Sequence, residues 1–331
     1  MAFGQTQPHA LITGGAGFIG SHLADRLLVE GYRVTIIDNL STGRWENIAH
    51  HSKNPGVRFA IEDIRNEMIM DRLVSECDVL FHLAAAVGVK LIVERPIDTI
   101  ETNIRGTEVV LKAAGRYRKP VLLASTSEVY GKSNKVPFRE DDDGVYGATT
   151  KSRWSYAVSK ALDEFLALAY YESQKLPVTI FRLFNTVGPR QVGHYGMVVP
   201  RFVKAALANE PIEVYDDGKQ SRCFANVYDI VDALVKLSQC GNSYGEVFNI
   251  GSTEEVTIME LAQRVQSATH STSEIVLVPY EKAYKKGYED MRRRVPDTSK
   301  IERLIQWKAT TALDQTIQQM IEYYRNLEKT K

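Results

Sequence analysis

The residues with the clearest potential for chemistry are a tyrosine and a lysine four positions apart, Tyr156 and Lys160. On a helix this spacing places the phenol and the ammonium on one face, since residues four apart are neighbours there. A nearby cation lowers the pKa of a phenol, so the pair predicts a tyrosine that acts as a base nearer neutral pH. Upstream, the segment 125–128 ends in Glu128. Simple hydride transfer does not need this carboxylate, so it indicates a second chemical step.

A glycine-rich turn near the start of the chain has the spacing of a dinucleotide-binding loop. Gly14, Gly17 and Gly20 follow a short apolar run, 9–13, and open a helical pattern. Such a turn presents the N–H groups and the partial positive charge of a helix N-terminus to a pyrophosphate. Asp38 ends the next strand, where a carboxylate accepts hydrogen bonds from both ribose hydroxyls and repels a 2′-phosphate. The pattern therefore predicts NAD rather than NADP.

Further contacts with NAD are expected along the same edge of the sheet. Asp63 and Ile64 follow the third strand and are candidates for the adenine, although Asp63 is equally suited to cap the next helix. The small residues of 83–85 either let a cofactor lie against the backbone or let a helix start pack tightly. The complete set predicted to bind NAD is Gly14, Gly17, Phe18, Ile19, Gly20, Asp38, Asn39, Asp63, Ile64, Leu83, Ala84, Ala85, Asn103, Tyr156 and Lys160.

Strand and helix patterns alternate as far as residue 185, which predicts an α/β fold with a Rossmann-type doubly wound parallel sheet. After this point glycines and prolines interrupt the chain, and short strands and helices are mixed. We therefore predict an NAD-binding Rossmann domain over 1–185. A smaller C-terminal α/β lobe over 186–331 is expected to bind the substrate. The two are predicted to interleave in one compact unit.

Composition excludes several classes of protein. The 331 residues carry no net formal charge, so no basic excess is available to neutralise nucleic-acid phosphates. Cys77, Cys223 and Cys240 form no CxxC pair, which indicates a reducing compartment. Neither a signal-peptide pattern nor an apolar stretch of membrane-spanning length is found. We expect a cytoplasmic protein with no nucleic-acid or membrane partner.

The glycine loop, the segment 125–131 and the Tyr156/Lys160 pair together resemble the extended short-chain dehydrogenase/reductase superfamily, in its nucleotide-sugar branch. Within that branch the chain is most similar to the UDP-glucuronate decarboxylases, and the similarity runs over nearly its whole length. Further segments that carry it are 153–160, 218–224 and 286–290. The resemblance implies NAD, a UDP-sugar substrate and a homodimer joined through helices at 99–116 and 155–173. The chain departs from these relatives at 86–89 and 190–199.

The resemblance also implies a mechanism without a metal. Tyr156 takes the proton of the sugar 4-hydroxyl while hydride passes to NAD, and Thr126 hydrogen-bonds the reacting oxygen. The resulting β-keto acid loses carbon dioxide and gives UDP-xylose or a UDP-4-keto-pentose. Glu128 and Ser127 serve this second step, and Arg222 positions the carboxylate or the ring.

The same resemblance assigns the nucleotide diphosphate to four residues. Asn185, Arg190 and Arg294 are its expected contacts, and Arg222 is compatible with this role as well. The planar fork of arginine suits a diphosphate, but each of these arginines is also compatible with a surface position or an ion pair. No metal site is expected, because His22, His82 and His194 lack partners at the spacing of metal ligands.

Three alternatives to a decarboxylase stay open. A UDP-sugar 4-epimerase acting on UDP-glucuronate or UDP-glucose shares NAD, Tyr156 and Lys160 but needs no glutamate. Some nucleotide-sugar 4,6-dehydratases also carry a Thr-x-Glu segment. A protein that binds NAD without turnover is disfavoured by the intact tyrosine and lysine. The surroundings of Arg222, together with Arg153-Trp154, favour decarboxylation.

Overall fold

The computed structural model describes residues 7–87, 95–193, 197–279 and 291–329. Several features that the sequence analysis used fall outside the described residues. They are residues 88 and 89, His194 and the segment 286–290.

The strands, numbered in chain order, form one large sheet and several small ones. They are β1 (His9–Thr13), β2 (Arg33–Ile37), β3 (Val57–Ala60), β4 (Val79–His82), β5 (Val121–Thr126), β6 (Val178–Leu183), β7 (Thr186–Val187), β8 (Ile212–Tyr215), β9 (Ser221–Cys223), β10 (Ala225–Asn226), β11 (Glu246–Ile250), β12 (Glu255–Thr257), β13 (Ile275–Val278) and β14 (Arg293–Arg294). The large sheet has seven parallel strands in the order β11-β6-β5-β4-β1-β2-β3. This order confirms the predicted Rossmann-type sheet, with its switch point between β1 and β4.

The α-helices are likewise numbered along the described residues. They are α1 (Phe18–Val29), α2 (Glu67–Glu76), α3 (Pro96–Tyr117), α4 (Ser155–Gln174), α5 (Val198–Leu207), α6 (Val227–Ser238), α7 (Ile258–Thr269), α8 (Ser299–Ile305) and α9 (Leu313–Lys329). None of them is long and apolar enough to span a lipid bilayer.

Local sequence accounts for several helix ends. Pro96 begins α3, where its fixed φ suits the first turn and no N–H is needed. The same helix ends at Arg118, which adopts the left-handed conformation with φ 51°. Thr257 and Glu260 form a reciprocal capping box at the start of α7.

Successive side chains of β1 belong to two separate hydrophobic cores, because neighbouring residues of a strand point to opposite faces of the sheet. Ala10 and Ile12 pack against α1 and α6 on one face of the sheet, whereas Leu11 packs beneath α2, α3 and α4 on the other. A third core lies outside the sheet, where Phe202, Leu261 and other residues join α5, α7 and α9. The sheet is therefore covered on both faces, and the C-terminal lobe has apolar packing of its own.

The two lobes interleave in a specific way. Strand β11 lies late in the chain but pairs in parallel with β6, and α6 packs against α1 on the same sheet. The segments between residues 225 and 250 thus complete the Rossmann sheet after the chain has begun the second lobe. The division into 1–185 and 186–331 stays a prediction.

A buried ion pair fastens α4 to the central sheet. Arg182 on β6 directs Nη2 to Glu164 Oε2 on α4 at 2.7 Å, and its Nη1 donates to the Tyr130 hydroxyl at 2.9 Å. The side chains of Arg182 and Glu164 are only 12% and 8% exposed. Tyr130 in turn stacks on Phe138 with ring centroids 4.6 Å apart. This network fixes the turn that follows β5, and with it the segment 125–128.

We predict that Glu164→Gln destabilises the fold by about 3–5 kcal/mol, because it leaves the Arg182 guanidinium buried without a charged partner. The matched control is Glu30→Gln. Glu30 pairs with Arg26 at the surface, where the side chains are 35% and 38% exposed, so its loss should cost at most about 1 kcal/mol. Urea unfolding of both variants measures the difference. Equal midpoints for the two would show that the buried pair does not stabilise the fold.

Candidate active site

A cavity of about 670 Å³ lies along the carboxyl ends of the parallel strands. Its walls come from the glycine loop after β1, from the ends of β2, β4, β5 and β6, and from residues of the C-terminal lobe. Open α/β sheets bind their ligands at this edge, next to the switch point in strand order. Nearly all of the residues predicted to act on cofactor or substrate line this one cavity.

The glycine loop is shaped for a diphosphate. Gly14 has φ +70°, and a Cβ added there would lie 2.8 Å from the backbone nitrogen of Ala84. A Cβ on Gly20 would lie 2.3 Å from the carbonyl oxygen of Gly14, so both positions require glycine. Helix α1 begins directly after Gly17, and Gly17, Phe18 and Ile19 all line the cavity. The first N–H groups of a helix have no partner within it and are available to phosphate oxygens.

Asp38 stands at the end of β2 as predicted, with its carboxylate fixed by the backbone. Its two oxygens accept hydrogen bonds from Ala16 N at 3.0 Å and from Leu40 N at 2.8 Å. Burial raises its pKa, and these two hydrogen bonds oppose the rise. The carboxylate lines the cavity on the side where an adenosine ribose is expected.

Asp63 and Asn39 also line the cavity and are joined by a hydrogen bond of 3.0 Å from Asn39 Nδ2. The side chain of Arg65 lowers the pKa of Asp63 to about 2. Asp63 does not cap the next helix, since Asn66 caps α2 by accepting from Ile69 N. The capping role that the sequence left open for Asp63 is therefore wrong.

The segment after β4 also lies where the sequence predicted. Leu83, Ala84 and Ala85 line the cavity, with Ala84 N held by Thr13 Oγ1 at 3.1 Å. Asn103 does not line it. Its Oδ1 accepts from Ala86 N at 2.9 Å and its Nδ2 approaches Ser159 Oγ at 3.3 Å. Asn103 thus braces the cavity wall from behind, and its direct contact with NAD stays a prediction.

Tyr156 lies in the first turn of α4 and is hydrogen-bonded to Thr126 at the end of β5. Its side chain is buried. Burial, together with the charges of Glu128 and Asp163, raises the pKa of the Tyr156 phenol above its ordinary value. The direction is opposite to the sequence-based expectation, because burial and two nearby carboxylates outweigh the surrounding cations.

Lys160 lies one turn beyond the tyrosine, but its ammonium has a partner that the sequence analysis did not foresee. Lys160 Nζ lies 2.7 Å from Asp163 Oδ2, with the two side chains 3% and 1% exposed. Asp163 is also hydrogen-bonded to Thr107. Burial raises the pKa of Asp163 while Lys160 lowers it. The lysine is thereby held in a fixed position below the tyrosine.

Two of the histidines that the sequence analysis rejected as metal ligands, His22 and His82, are buried and hydrogen-bonded to protein groups. His82 lies between Thr13 Oγ1 at 2.8 Å and Thr107 Oγ1 at 3.1 Å, and burial lowers its pKa to about 3. Burial also lowers the pKa of His22 to about 4, and its Nε2 bonds Pro189 O at 2.9 Å. Both rings are neutral at pH 7, and His82 is a buried residue of β4.

Glu128 is enclosed by arginines. Arg294 Nη2 lies 2.7 Å from Glu128 Oε1, and Arg153 pairs with Oε2. Burial on its own would raise the pKa of Glu128, but Arg153 and Arg294, with a smaller contribution from Arg222, bring it down to about 2. The carboxylate is therefore ionised at neutral pH. Arg294, for which a diphosphate contact was expected, lines the cavity and pairs with Glu128, and its contact with a diphosphate stays a prediction.

The remaining predicted substrate residues also line the cavity. Asn185 Nδ2 donates to Cys223 O at 3.1 Å, and Arg222 Nη1 donates to Ser221 O at 2.8 Å. Ser127 is buried in the wall beside Glu128. Arg190 lines the cavity too, but its Nη2 forms an ion pair of 2.8 Å with Asp25 on α1.

Two residues of the site were not among the predicted site residues, although Arg153-Trp154 was noted as favouring decarboxylation. Arg153 lies three residues before Tyr156, and Asp163 lies three residues after Lys160. On a continuous helical path these spacings bring the charges onto the face that carries the catalytic pair. A search for charged residues three positions before Tyr156 and three positions after Lys160 would have identified both.

The family model for GDP-mannose 4,6-dehydratase matches residues 11–320. The chain belongs to this family. This membership confirms the predicted place in the nucleotide-sugar branch of the extended short-chain dehydrogenases/reductases. The neighbours among solved structures include epimerases and a dehydratase of the same fold.

Relatives of known function include decarboxylases. A UDP-N-acetyl-alpha-D-glucosaminuronate decarboxylase of Bacillus cytotoxicus is 46% identical over 96% of this chain and 98% of its own length. UDP-glucuronic acid decarboxylase 4 of Arabidopsis thaliana is 38% identical over 95% of this chain and 68% of the relative. The structure of a Bacillus cereus UDP-glucuronic acid 4-epimerase with UDP-glucuronic acid and NAD superposes with a TM-score of 0.87. It is 28% identical over 96% of this chain and 99% of that one.

Proposed function

We propose that this chain is an NAD-dependent decarboxylase of a UDP-linked hexuronic acid, which oxidises C4 of the sugar and releases C6 as carbon dioxide. The observation that carries the proposal is the place of Glu128. Its ionised carboxylate lies between Arg153 and Arg294, in the same cavity as Tyr156, the proposed base for oxidation of the sugar. The decarboxylases among the relatives support the same reaction and agree with the sequence-based prediction.

In the first half of the reaction Tyr156 accepts the proton of the 4-hydroxyl. Thr126, already hydrogen-bonded to the tyrosine, holds the same oxygen. Bound NAD supplies the hydride acceptor for this oxidation and the hydride donor for a final reduction. The raised pKa of the phenol makes it a strong base once ionised, and a proton donor to oxygen once protonated.

In the second half the new ketone at C4 stands β to the C6 carboxylate. The C5–C6 bond breaks, carbon dioxide leaves, and the electron pair becomes an enolate on the C4 oxygen. Tyr156 and Thr126 are placed to stabilise that oxygen as charge develops on it. A proton from solvent water must then reach C5. Glu128 is ionised at rest, so we assign it the role of a relay that takes a proton from water and passes it to C5, with Arg153 and Arg294 keeping it charged between transfers.

The residues present fit NAD. The turn at Gly14 and Gly20 admits a diphosphate, α1 presents its N-terminus, and Asp38 offers a carboxylate to the adenosine ribose. The negative charge of Asp38 disfavours binding of the 2′-phosphate of NADP. We assign the substrate diphosphate to Asn185 and Arg222, since Arg294 is engaged with Glu128.

A second substrate is favoured by a specific observation. The Bacillus cytotoxicus relative, 46% identical, is named for a sugar with an acetamido group at C2, whereas the plant relatives are named for glucuronate. The chemistry at C4, C5 and C6 is the same for both sugars. We therefore propose UDP-N-acetylglucosaminuronate as a substrate to be tested beside UDP-glucuronate.

The test is incubation of the protein with each UDP-hexuronate and NAD, followed by carbon dioxide release and by NMR of the nucleotide sugars. Carbon dioxide with a UDP-pentose or a 4-keto-pentose supports the decarboxylase, and the faster of the two sugars is its substrate. Formation of the C4 epimer without carbon dioxide would establish the 4-epimerase instead. A 4,6-dehydratase would act on a neutral UDP-hexose and on neither uronate.

We also propose a cytoplasmic location, without a nucleic-acid partner. Among the described residues Cys77, Cys223 and Cys240 are free thiols, which suits a reducing compartment. The absence of net formal charge supports the exclusion of nucleic acid.

Glu128→Gln should separate the two chemical steps. We expect NADH to form in a single turnover, since Tyr156 and Thr126 are intact, while formation of the C5-protonated UDP-pentose or 4-keto-pentose falls by about 10²–10⁴-fold. Absorbance at the NADH band and NMR of the nucleotide-sugar products measure the two steps. Tyr156→Phe is the control and should lose both. Equal loss of both steps in Glu128→Gln would remove the separate role of the glutamate.

Asp163→Asn should shift the pH dependence of turnover. The charge of Asp163 helps to raise the pKa of Tyr156, so its removal lowers that pKa. Because the base form of the tyrosine is needed, the acid limb of kcat/KM should move to lower pH, by roughly 0.5–1 pH unit. Asp232→Asn, a charge on α6 that is 25% exposed and is not among the residues lining the cavity, is the control. An acid limb that does not move, or that moves to higher pH, would show that Asp163 does not set the ionisation of the tyrosine.

We propose that the chain forms a homodimer through α3 and α4. Val158, Leu162 and Phe165 make an apolar stripe on α4 that is 46%, 47% and 73% exposed, and Ile97 and Ile100 on α3 are 70% and 37% exposed. Their spacing is that of one helix face, and a face of this kind on a folded protein marks an interaction surface.

Phe165→Glu should therefore yield a monomer in sedimentation velocity, because a charge would be buried at the centre of the interface. Met68→Glu is the matched control, since Met68 on α2 is 81% exposed and lies off the stripe. A dimer that persists in Phe165→Glu, or a monomeric wild type, would contradict this interface.

A further inference from the structure

A second group of side chains lies outside the cavity, between α1 and the turn Ala49–His51. Asp25 projects from α1, and one of its carboxylate oxygens, Oδ1, is shared by two histidines. His51 Nε2 lies 2.6 Å from it and His50 Nε2 lies 2.8 Å from it. The two imidazole rings have centroids 3.9 Å apart. Three ligand atoms from Asp25, His50 and His51 thus lie within 4.8 Å of one another.

The other oxygen of the same carboxylate is held separately. Arg190 Nη2 binds Asp25 Oδ2 at 2.8 Å. Arg190 therefore turns the carboxylate so that Oδ1 faces the two histidines. Carboxylates that bind metals are commonly oriented by such an outer partner, and loss of that partner weakens binding. The guanidinium occupies the far oxygen and leaves Oδ1 directed at both imidazoles.

The three ligand atoms are better placed to bind one metal ion than to form two N–H hydrogen bonds to the same oxygen. A carboxylate accepts hydrogen bonds only, so each histidine must carry a proton on Nε2 to bond it. Two N–H groups then converge on a single oxygen. One metal ion instead takes a lone pair from each Nε2, while the proton of each neutral imidazole moves to Nδ1. Two imidazoles and one carboxylate are the protein ligands of many zinc sites, with metal–ligand distances of about 2.0–2.2 Å.

Only a small rearrangement is required. Tetrahedral ligands at that distance stand roughly 3.3 Å apart, so His50 Nε2 and His51 Nε2 need to move from Oδ1 by about 0.5 and 0.7 Å. The side chain of His50 is 45% exposed and free to make this shift, and it leaves an open side for a water as the fourth ligand. His51, at 13% exposed, and Asp25, at 31%, are the more enclosed ligands of the site.

We propose that Asp25, His50 and His51 form a binding site for a divalent transition metal, with Zn²⁺ as the preferred ion. Imidazole with a single carboxylate favours Zn²⁺, and other late first-row metals, over Mg²⁺ and Ca²⁺, which require mostly oxygen ligands. The site is separate from the proposed reaction, which needs no metal. It meets the cavity only through Arg190, which lines the cavity and holds Asp25.

The test is titration of untagged protein with Co²⁺, a spectroscopic substitute for Zn²⁺, followed by displacement with Zn²⁺. We expect one ion per chain, a visible absorption band of a tetrahedral or five-coordinate site, and loss of the band when Zn²⁺ is added. His50→Ala and His51→Ala should each weaken binding by at least tenfold. His270→Ala, an exposed histidine after α7, is the matched control and should bind as wild type does.

Thermal unfolding followed by circular dichroism separates loss of the site from loss of the fold. His50 is the more exposed ligand, so His50→Ala should keep the wild-type Tm in the presence of a chelator. Wild-type protein should gain Tm on addition of Zn²⁺, and His50→Ala should not. The proposal is overturned if wild type shows no saturable binding of one ion. Equal binding of Co²⁺ by wild type, His50→Ala and His51→Ala would also overturn it. Neither readout depends on enzymatic activity.

Discussion

The carboxylate of Glu128, held ionised by Arg153 and Arg294, is the interaction on which the organisation of the active site depends. The three residues of this ion cluster come from three parts of the chain. Glu128 lies in the turn after β5, Arg153 in the turn before α4, and Arg294 on β14 in the C-terminal lobe. A buried charge left unpaired costs several kcal/mol, so none of the three segments can move away alone without a large penalty. The ion cluster therefore ties the C-terminal lobe to the Rossmann sheet at the point where the sugar is expected to react.

The balance of charge around this cluster suits the proposed substrate. Arg153, Arg222, Arg294 and Lys160 line the cavity together with Glu128, and Asp163 is paired with Lys160. The excess of positive charge matches a ligand that carries both a diphosphate and a carboxylate. The two acids have distinct effects. Both raise the pKa of Tyr156, but Glu128 lines the cavity, while Asp163 is paired with Lys160 and is not among the described residues that line it.

Much of this architecture could be predicted from local sequence. The glycine loop, the parallel strands and the position of Tyr156 and Lys160 on one helix follow from periodicity over a few residues, and the structure bears them out. The return of β11 to the central sheet could not be read in this way, because a strand carries no mark of its distant partner. The same limit explains the ion pair between Arg294 and Glu128, which are more than 160 residues apart in the chain. The resemblance implied only a diphosphate contact for this arginine.

The pKa of Tyr156 shows why a motif predicts which residues react better than it predicts their ionisation. A tyrosine and a lysine one turn apart suggest a phenol with a lowered pKa, but this depends on where the charge of the lysine is directed. In this structure the Lys160 ammonium is paired with Asp163. Burial of the phenol raises the pKa of Tyr156 by more than the remaining cations lower it. Arg190 illustrates the same point at the other end of the cavity, since its charge is shared with Asp25 rather than reserved for a phosphate. The sequence thus supplies the reacting groups, whereas their strength as acids and bases is set by partners that only the folded chain brings together.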